Sequence, residues 1–124
     1  MKNTEIIIPN TVTPLKAHRL INKVVKIDDG HLNIIVGEHV VTLTSGQEVE
    51  IPKGTPFAYA NLSPSTTLIT EITDLETIGD DTGTYADSTG NSYIENACPS
   101  IQISLSLYQS VADMLIHKDL FNAA

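Results

Sequence analysis

The chain has 124 residues, 41% of them hydrophobic, which suits one domain with a single buried core. Seven Lys and Arg against fifteen Asp and Glu give a formal net charge of −8, which disfavours direct binding to nucleic acid or to anionic membranes. Cys98 is the single cysteine, which excludes an intrachain disulfide, and no apolar run is long enough for a signal peptide or a membrane span, so we expect a cytoplasmic protein.

The first two thirds of the chain alternate β-prone runs with turn residues. Val, Ile and Thr are concentrated in the runs, and Gly, Pro, Asn and Asp lie between them, a pattern typical of an all-β domain. Taken in order, these runs predict strands at residues 5–8, 11–13, 19–27, 48–51, 57–61 and 66–73.

The segment HLNIIVGEHVVTLT, residues 31–44, predicts a β-hairpin. Gly37-Glu38 is a two-residue connection with Gly first, as a type II′ turn requires. One register places the apolar side chains of both strands on the same face, so it is the register we expect. Its pairs are Val36–His39, Ile34–Val41 and Leu32–Leu43.

The last third of the chain changes in character. Residues 74–97 are polar, acidic and rich in Gly, which predicts a long surface loop or hairpin tip. The run IQISLSL, residues 101–107, alternates apolar and polar side chains, which predicts a strand buried on one face. Ser110 and Asp113 then suit a helix start, and a broad apolar stripe predicts an amphipathic helix over about residues 110–122.

Residues 1–124 are therefore predicted to form one mainly β domain, a barrel or sandwich with a C-terminal α-helix. The helix carries apolar residues over more than a narrow stripe, so one side can pack on the barrel while another meets a partner. We expect a homodimer through this helix or through a barrel edge, with Val111, Met114 and Leu115 as candidate contacts. The alternative is a helix that packs only on its own barrel.

The stretch SGQEVEIPKGTPFAYAN, Ser45 to Asn61, resembles the second sequence motif of the cupin superfamily. Gly46, Pro52, Gly54 and Asn61 fall at the motif's positions, and Phe57 stands where the family has a metal-binding histidine. The two glycines supply turn conformations that other residues resist, and Pro52 fixes φ where a strand must stop. The resemblance implies a cupin-like jelly-roll β-barrel, with Gly46, Pro52 and Gly54 as structural turn residues.

The resemblance does not carry metal chemistry with it. Metal-binding cupins use three His and one Glu, yet the segment from Lys23 to Gly30 has no histidine pair and Phe57 replaces the last histidine. Several N and O ligands must converge to hold a metal, so we expect no metal and no other cofactor. The four histidines are scattered and are predicted to lie on the surface: His18, His31, His39 and His117.

Phe57 and Tyr59 are the candidate ligand-binding residues, because they share a strand face that the resemblance turns into the barrel. The alternative is that Phe57 fills the space a metal would occupy, since small barrels are often packed solid. No catalytic constellation is present in the sequence. If the barrel were an enzyme, the candidate acids and bases would be His31, Glu48, Glu50 and Tyr59.

The order of barrel then helix is similar to the N-terminal sensing and dimerisation domain of arabinose-regulator-type transcription factors. That resemblance implies a non-enzymatic domain that binds a small apolar or sugar-like ligand and does not itself contact DNA. It also implies that the chain is a fragment of a longer regulator. The alternatives are a metal-independent cupin enzyme of the sugar epimerase or isomerase type, and a structural β-domain of a virus or surface assembly.

Overall fold

The computed structural model of the protein describes residues 2–18, 20–74, 82–86 and 103–114. Within these residues the chain forms ten β-strands followed by an α-helix, so the mainly β prediction is confirmed. The strands are β1 Lys2–Ile7, β2 Thr11–Val12, β3 Leu15–His18, β4 Lys23–Asp29, β5 His31–Val36, β6 His39–Thr44, β7 Glu48–Ile51, β8 Phe57–Asn61, β9 Thr67–Thr73 and β10 Thr82–Ala86, and the helix, α1, covers residues 103–114.

The strands form two antiparallel sheets that enclose the main core. One sheet has four strands in the order β1-β9-β4-β7, and the other has the order β10-β3-β8-β5-β6, with β2 paired to β8. Alternate side chains from both sheets point inward and pack together. The buried members of this core are Ile7, Val25, Ile27, Leu32, Ile34, Ile51, Phe57, Tyr59 and Ile69.

The predicted hairpin is confirmed in its register. β5 and β6 pair with Val36 opposite His39, as expected, and the pairing continues without a slip to His31 and Thr44. Gly37 has a φ of +59°, the sign that a type II′ turn needs at its first central residue. The strands predicted at residues 48–51 and 57–61 also have the observed bounds.

The turn residues of the Ser45–Asn61 stretch lie at the ends of β7 and β8. Gly46 and Gly54 have φ values of +90° and +80°, a region that residues with a Cβ rarely adopt. Pro52 directly follows the last residue of β7. Asn61 is fully buried, and its side-chain amide donates to the carbonyls of Ile7 at 2.9 Å and Ser65 at 2.8 Å. The asparagine therefore ties the turn after β8 to the end of β1.

The strand prediction for residues 101–107 is wrong for the part that the structure describes. Residues 103–107 belong to α1. The helix therefore includes residues before Ser110, where the sequence predicted its start. The buried face follows a helical spacing of four and three through Ser104, Tyr108 and Val111, while Ile103 is 44% exposed. Two serine hydroxyls of the helix have backbone partners, since Ser104 donates to the Gly37 carbonyl and Ser110 to the Ser106 carbonyl. The predicted continuation to residue 122 lies outside the described residues.

The loop prediction for residues 74–97 is wrong at residues 82–86. This segment is β10, which pairs antiparallel with β3 at the edge of its sheet. Pairing at a sheet edge uses backbone groups, so a polar segment with a glycine can form it where propensity alone predicts a loop. The remainder of the predicted loop beyond residue 74 lies outside the described residues.

The helix packs on the outer face of the second sheet. Tyr108 and Val111 of α1 join Val12, Leu15, Ile35, Ala58 and Ala60 in a second buried cluster. Val111, predicted as an interface residue, therefore lies against the chain's own barrel. Met114 is 56% exposed, and Leu115 lies outside the described residues. No helix in the described part of the chain is long and apolar enough to cross a membrane.

Candidate functional site

Charged side chains interrupt the apolar inner face of the four-stranded sheet at one end. In β4 the inward positions are Lys23, Val25 and Ile27, and in β9 they include Ile69 and Glu71. The register places Glu71 opposite Val25, so Lys23 is its diagonal neighbour, within reach of a long side chain. Lys23 and Glu71 are only 7% and 6% exposed, so both charges are held inside the barrel.

The opposite sheet supplies the groups that meet these charges. The Lys23 ammonium lies 2.5 Å from the Oε2 of Glu71, and the Tyr59 hydroxyl donates to the same oxygen at 2.7 Å. The Lys23 ammonium also lies 4.8 Å from the centre of the Phe57 ring, close enough for a cation–π contact. A carboxylate, an ammonium, a phenol and an aromatic face therefore converge at one point of the interior.

Three further polar residues surround this point. Glu5, inward-facing on β1 and partly exposed, is within hydrogen-bonding reach of Glu71. On β3, the Lys16 ammonium lies 5.8 Å from the Phe57 ring centre and the His18 ring 5.4 Å from it. We call Glu5, Lys16, Lys23, Tyr59 and Glu71 the charged cluster, and Glu5 and Lys16 are its partly exposed members.

The environment separates the protonation behaviour of the two carboxylates. Burial alone would raise the pKa of Glu71, but the hydrogen bonds and positive charge of Lys23, helped by the Tyr59 hydroxyl, hold that pKa below its usual value. Burial, followed by the negative charge of Glu71, raises the pKa of Glu5. Glu5 is therefore the more readily protonated member of the pair.

The pKa of Tyr59 lies well above its usual value. Burial is the largest cause, and the adjacent Glu71 charge and the hydrogen bond to it act in the same direction. Tyr59 is therefore a neutral hydrogen-bond donor at physiological pH, and Glu71 is an ionised acceptor. The single proton of the Tyr59 hydroxyl is donated to Glu71, which leaves the Tyr59 oxygen and the Glu71 carboxylate as acceptors for a hydroxyl group of a small molecule.

Comparisons with known proteins give no sequence family, since neither protein-family models nor curated protein sequences match the chain. Solved structures do resemble it. The dTDP sugar isomerase from Desulfovibrio desulfuricans G20 aligns over 81% of this chain and 74% of its own at 15% identity, with a TM-score of 0.66. The cupin domain of Drosophila melanogaster CENP-C aligns over 60% of each chain at 19% identity, with a TM-score of 0.56. This chain has a cupin fold.

A third structure supports the same assignment of fold. An uncharacterised conserved protein with a double-stranded β-helix domain from Klebsiella pneumoniae aligns over 67% of this chain and 71% of its own, at 13% identity and a TM-score of 0.58. Identities this low establish the cupin fold alone. The chain spans less than two thirds of the length of the CENP-C domain, so the activities and partners of these proteins are not transferred with the fold.

The two predicted ligand-binding residues lie together in the cupin interior. Phe57 and Tyr59 share a face of β8 with ring centres 5.7 Å apart, and both are buried. Phe57 is completely enclosed, and the Tyr59 hydroxyl is engaged by Glu71. Their role in ligand binding stays a prediction.

Of the other residues considered for this site, three lie on the outside of the barrel and one lies inside it. Glu48 and Glu50 were candidate acids, but both are exposed on the outer face of β7, and His31 is exposed on β5. His18 was expected on the surface, whereas it is 8% exposed and packs against Phe57. Among the residues that the structure describes, no three His, Cys, Asp or Glu side chains could together hold a metal ion. The absence of a metal cofactor stays a prediction.

Sequence reasoning missed Lys23, Glu71 and Glu5, although the signal was available. Alternation in KVVKI places Lys23 on the same face as Val25 and Ile27, and alternation in TLITEIT places Glu71 with Ile69. A charged residue in phase with a buried apolar face indicates either a paired internal charge or a functional group. That signal points directly at the charged cluster.

Proposed function

We propose that this cupin domain binds a small, sugar-like ligand at the charged cluster and senses it without chemical turnover. The observation that carries the proposal is the convergence of the Lys23 ammonium and the Tyr59 hydroxyl on one oxygen of Glu71, above the Phe57 ring. Small-molecule sites typically combine an aromatic wall with a few fixed polar groups. The charged cluster has this composition.

The chemistry of the cluster favours a ligand with several hydroxyl groups. Glu5 and Glu71 can accept hydrogen bonds and Lys16 and Lys23 can donate them, so a ligand hydroxyl group finds both an acceptor and a donor. The enclosed Phe57 ring packs beneath these groups, with its centre 4.8 Å from the Lys23 ammonium. Glu5 and Lys16 are partly exposed and form the approach from solvent.

The protonation states favour binding over catalysis. A general acid or base works best when its pKa lies near the working pH. The pKa of Tyr59 lies well above its usual value and that of Glu71 below, so neither exchanges a proton readily near neutral pH. Both side chains suit the fixed donor and acceptor of a binding site.

A ligand panel tests this proposal. Neutral monosaccharides, dTDP and dTDP-glucose would be screened by thermal shift and followed by calorimetry, using the wild type, Glu71→Gln and Tyr59→Phe. We expect one sugar class to bind and each variant to weaken it at least tenfold. Glu48→Gln is the matched control, because that carboxylate is exposed on the outer face of β7. Binding that both site variants leave unchanged would place the ligand elsewhere and contradict the proposal.

A second candidate function is isomerisation of a dTDP-linked sugar. It is favoured by the alignment to the D. desulfuricans isomerase over 81% of this chain and by Glu5, whose raised pKa makes it the most suitable proton donor of the cluster. Incubation with dTDP-linked keto sugars, followed by NMR, would detect turnover. Turnover lost in Glu5→Gln and reduced in Tyr59→Phe would establish this function in place of sensing.

The finer proposal is that the domain senses a ligand for an arabinose-regulator-type transcription factor. The order of barrel and then helix supports it, and dimerisation through the exposed part of the helix near Met114 belongs to the same proposal. The test is to sequence the full gene, because the gene of such a regulator encodes a basic, helical DNA-binding domain in the same polypeptide. A gene without one would contradict the regulatory role and leave ligand binding untouched.

A further inference from the structure

The outer face of the four-stranded sheet carries apolar side chains as well as charges. Alternation in its strands turns outward Lys2, Thr4 and Ile6 of β1, Leu68, Thr70 and Ile72 of β9, Val24, Lys26 and Asp28 of β4, and Glu48 and Glu50 of β7. We call these residues the outer sheet face. The Asp28 carboxylate accepts a hydrogen bond from the Thr70 hydroxyl at 2.5 Å. Ile6 is 66% exposed, and Ile8, just beyond β1, is 59% exposed. Apolar exposure of this kind, bordered by charges, is typical of interaction surfaces.

The strand register aligns four of these residues in one row across the sheet. Lys2 pairs with Ile72, Ile72 pairs with Val24, and Val24 pairs with Glu50. The row therefore begins with a positive charge, continues through two apolar side chains, and ends with a negative charge. The next row runs Thr4, Thr70, Lys26 and Glu48.

This order of charges is complementary to itself. A two-fold axis parallel to the strands, between β9 and β4, places β1 of one copy over β7 of the other. Lys2 then faces the partner's Glu50, and Ile72 faces the partner's Val24, each contact occurring twice. We propose that the outer sheet face forms a two-fold homodimer with a second copy of this chain in this arrangement.

Two-fold axes across the strands bring like charges together. An axis through the row of Lys2 and Glu50 places each of these residues opposite the same residue of the partner. An axis through the next row places Lys26 opposite the partner's Lys26. An axis between the two rows sets Glu50 against the partner's Glu48. Like charges in register cost free energy, so the axis parallel to the strands is the one that the charges select.

The row ends beside a concavity that suits this arrangement. A cavity of about 230 Å³ is lined by Val24 and Glu50 together with Asn22, Lys23, Ile51 and Pro52. In the proposed dimer the partner's Lys2 reaches this end of the row. Its apolar stem can lie against Ile51 and Pro52 while its ammonium meets Glu50.

The size of the face sets the expected affinity. It is smaller than the roughly 20–30 residues per side of a standard interface, so we expect a dissociation constant on the order of micromolar. This surface lies on the opposite sheet from α1, so it is distinct from a dimer through Met114. The proposed dimer does not require a ligand in the barrel.

Charge-swap variants test the proposal in the full chain. Sedimentation of the wild type across a concentration range should show a monomer–dimer equilibrium. Lys2→Glu and Glu50→Lys should each raise the dissociation constant about tenfold or more, because each creates two like-charge contacts. In an equimolar mixture of the two variants the heterodimer has two opposite-charge contacts, one native and one with both charges reversed. Native mass spectrometry should therefore show the heterodimer as the main species.

Two further variants make the test decisive. Ile72→Lys at the centre of the row should abolish association through the outer sheet face, while Glu38→Lys, in the exposed β5–β6 turn of the other sheet, should match the wild type. Circular dichroism would confirm that each variant is folded. A wild type that stays monomeric at several hundred micromolar, or a dimer unaffected by these changes, would overturn the proposal. A different protein seated on this face in place of a second copy would overturn it too.

Discussion

Lys23 and Glu71 form an ion pair at 2.5 Å across the inner face of the four-stranded sheet, and Tyr59 from the opposite sheet donates to the same carboxylate oxygen. Each charge would be costly to bury alone. The Lys23–Glu71 contact lies within one sheet, whereas the Tyr59 hydrogen bond holds only while the two sheets keep their relative positions. The position of the Glu71 carboxylate therefore depends on how the two sheets pack together.

Removing one partner of this pair should destabilise the domain strongly. Lys23→Met leaves the Glu71 carboxylate without its main counter-charge, and we expect it to lower the free energy of unfolding by about 3–5 kcal/mol. Lys23→Met combined with Glu71→Gln should cost less than the sum of the single changes, with a coupling of about 1–3 kcal/mol. Urea unfolding of the four proteins measures the cycle. Additive costs would show that the two residues do not interact, and Lys53→Met, in the exposed β7–β8 turn, should change stability by less than about 0.5 kcal/mol.

The contribution of Glu5 to the stability of the domain should be smaller at neutral pH than in weak acid. Its folded pKa is raised above the ordinary 4.5, so its stabilising contribution is complete below pH 4.5 and is lost as the pH rises through the folded pKa. Glu5→Gln keeps a hydrogen-bond donor for Glu71 and removes the second negative charge. We expect it to raise the Tm by about 1–3 °C at pH 7, a small effect because Glu5 is partly exposed.

The pH dependence separates this effect from a general change in packing. Near pH 4 Glu5 is protonated in the wild type, so Glu5→Gln should give almost no difference there. Glu71 acts in the opposite direction, since its folded pKa is lowered and its contribution is lost as the pH falls through that pKa. The wild type and Glu5→Gln both lose this Glu71 contribution at low pH, so it does not affect the difference between them. A Tm difference that is equal at pH 4 and pH 7 would contradict the assigned role of Glu5.

Gly30, in the β4–β5 turn, should tolerate no side chain. Its φ is +105°, and a Cβ there would lie 2.9 Å from the Thr67 hydroxyl oxygen and 3.2 Å from the Thr67 Cα. Thr67 is held in place by its hydrogen bond to the His31 carbonyl at 2.5 Å. We expect Gly30→Ala to lower the free energy of unfolding by about 3 kcal/mol or more, from backbone strain and steric overlap together.

Gly54→Ala provides the matched comparison. Gly54 also has a positive φ, of +80°, but apart from its chain neighbours no atom lies within 4 Å of the place that a Cβ would take. The substitution should show the strain alone, about 1–2 kcal/mol. Chemical unfolding of both variants tests the difference. Equal losses would show that the contact with Thr67 contributes nothing.

The sequence predicted those parts of the fold that depend on local pattern. The register of β5 and β6 followed from a two-residue turn and from apolar side chains that must share a face. The position of β7 and β8 followed in the same way from Pro52 and Gly54 between two β-prone runs.

The helix could not be predicted from local pattern, because alternation of Ile, Leu and Ser over residues 101–107 fits a strand equally well. Tertiary packing decided the outcome. Tyr108 and Val111 fill a surface made by Leu15, Ala58 and Ala60, which are far away in sequence. Ser104 is buried because the Gly37 carbonyl accepts its hydroxyl, a partner that no local rule identifies.

The sequence predicts the aromatic residues of the candidate site but not the contacts that they make. Phe57 and Tyr59 could be placed on one inward face from their spacing alone. The meeting of Tyr59 with Glu71 depends on how two sheets face each other, and a single sequence does not determine that relation. The charge in phase with Ile69 was nevertheless visible in TLITEIT, so the carboxylate could have been named, though not its partners.

Asn61 is the one buried side-chain amide among the described residues, and it should contribute strongly to stability. Besides its two donated bonds, its Oδ1 accepts from the backbone N–H of Ser63 at 3.1 Å and from the Ser63 hydroxyl at 2.7 Å. Asn61→Ala removes all four bonds and leaves the Ile7 and Ser65 carbonyls without this donor. We expect a loss of about 2–4 kcal/mol, because unsatisfied buried acceptors carry their full desolvation cost.

Asn61→Asp distinguishes hydrogen bonding from packing at this position. The carboxylate has nearly the same shape as the amide but faces the Ile7 and Ser65 carbonyls without a proton to donate. At pH 7 the Asn61→Asp variant should therefore be less stable than Asn61→Ala. Protonation supplies one donor, so lowering the pH to 4 should narrow the gap. Asn33→Ala, which removes a single exposed contact with Thr42 at 2.7 Å, should cost less than about 1 kcal/mol. Urea midpoints of these variants measure each step, and a loss in Asn61→Ala no larger than in Asn33→Ala would show that the turn after β8 holds without its asparagine.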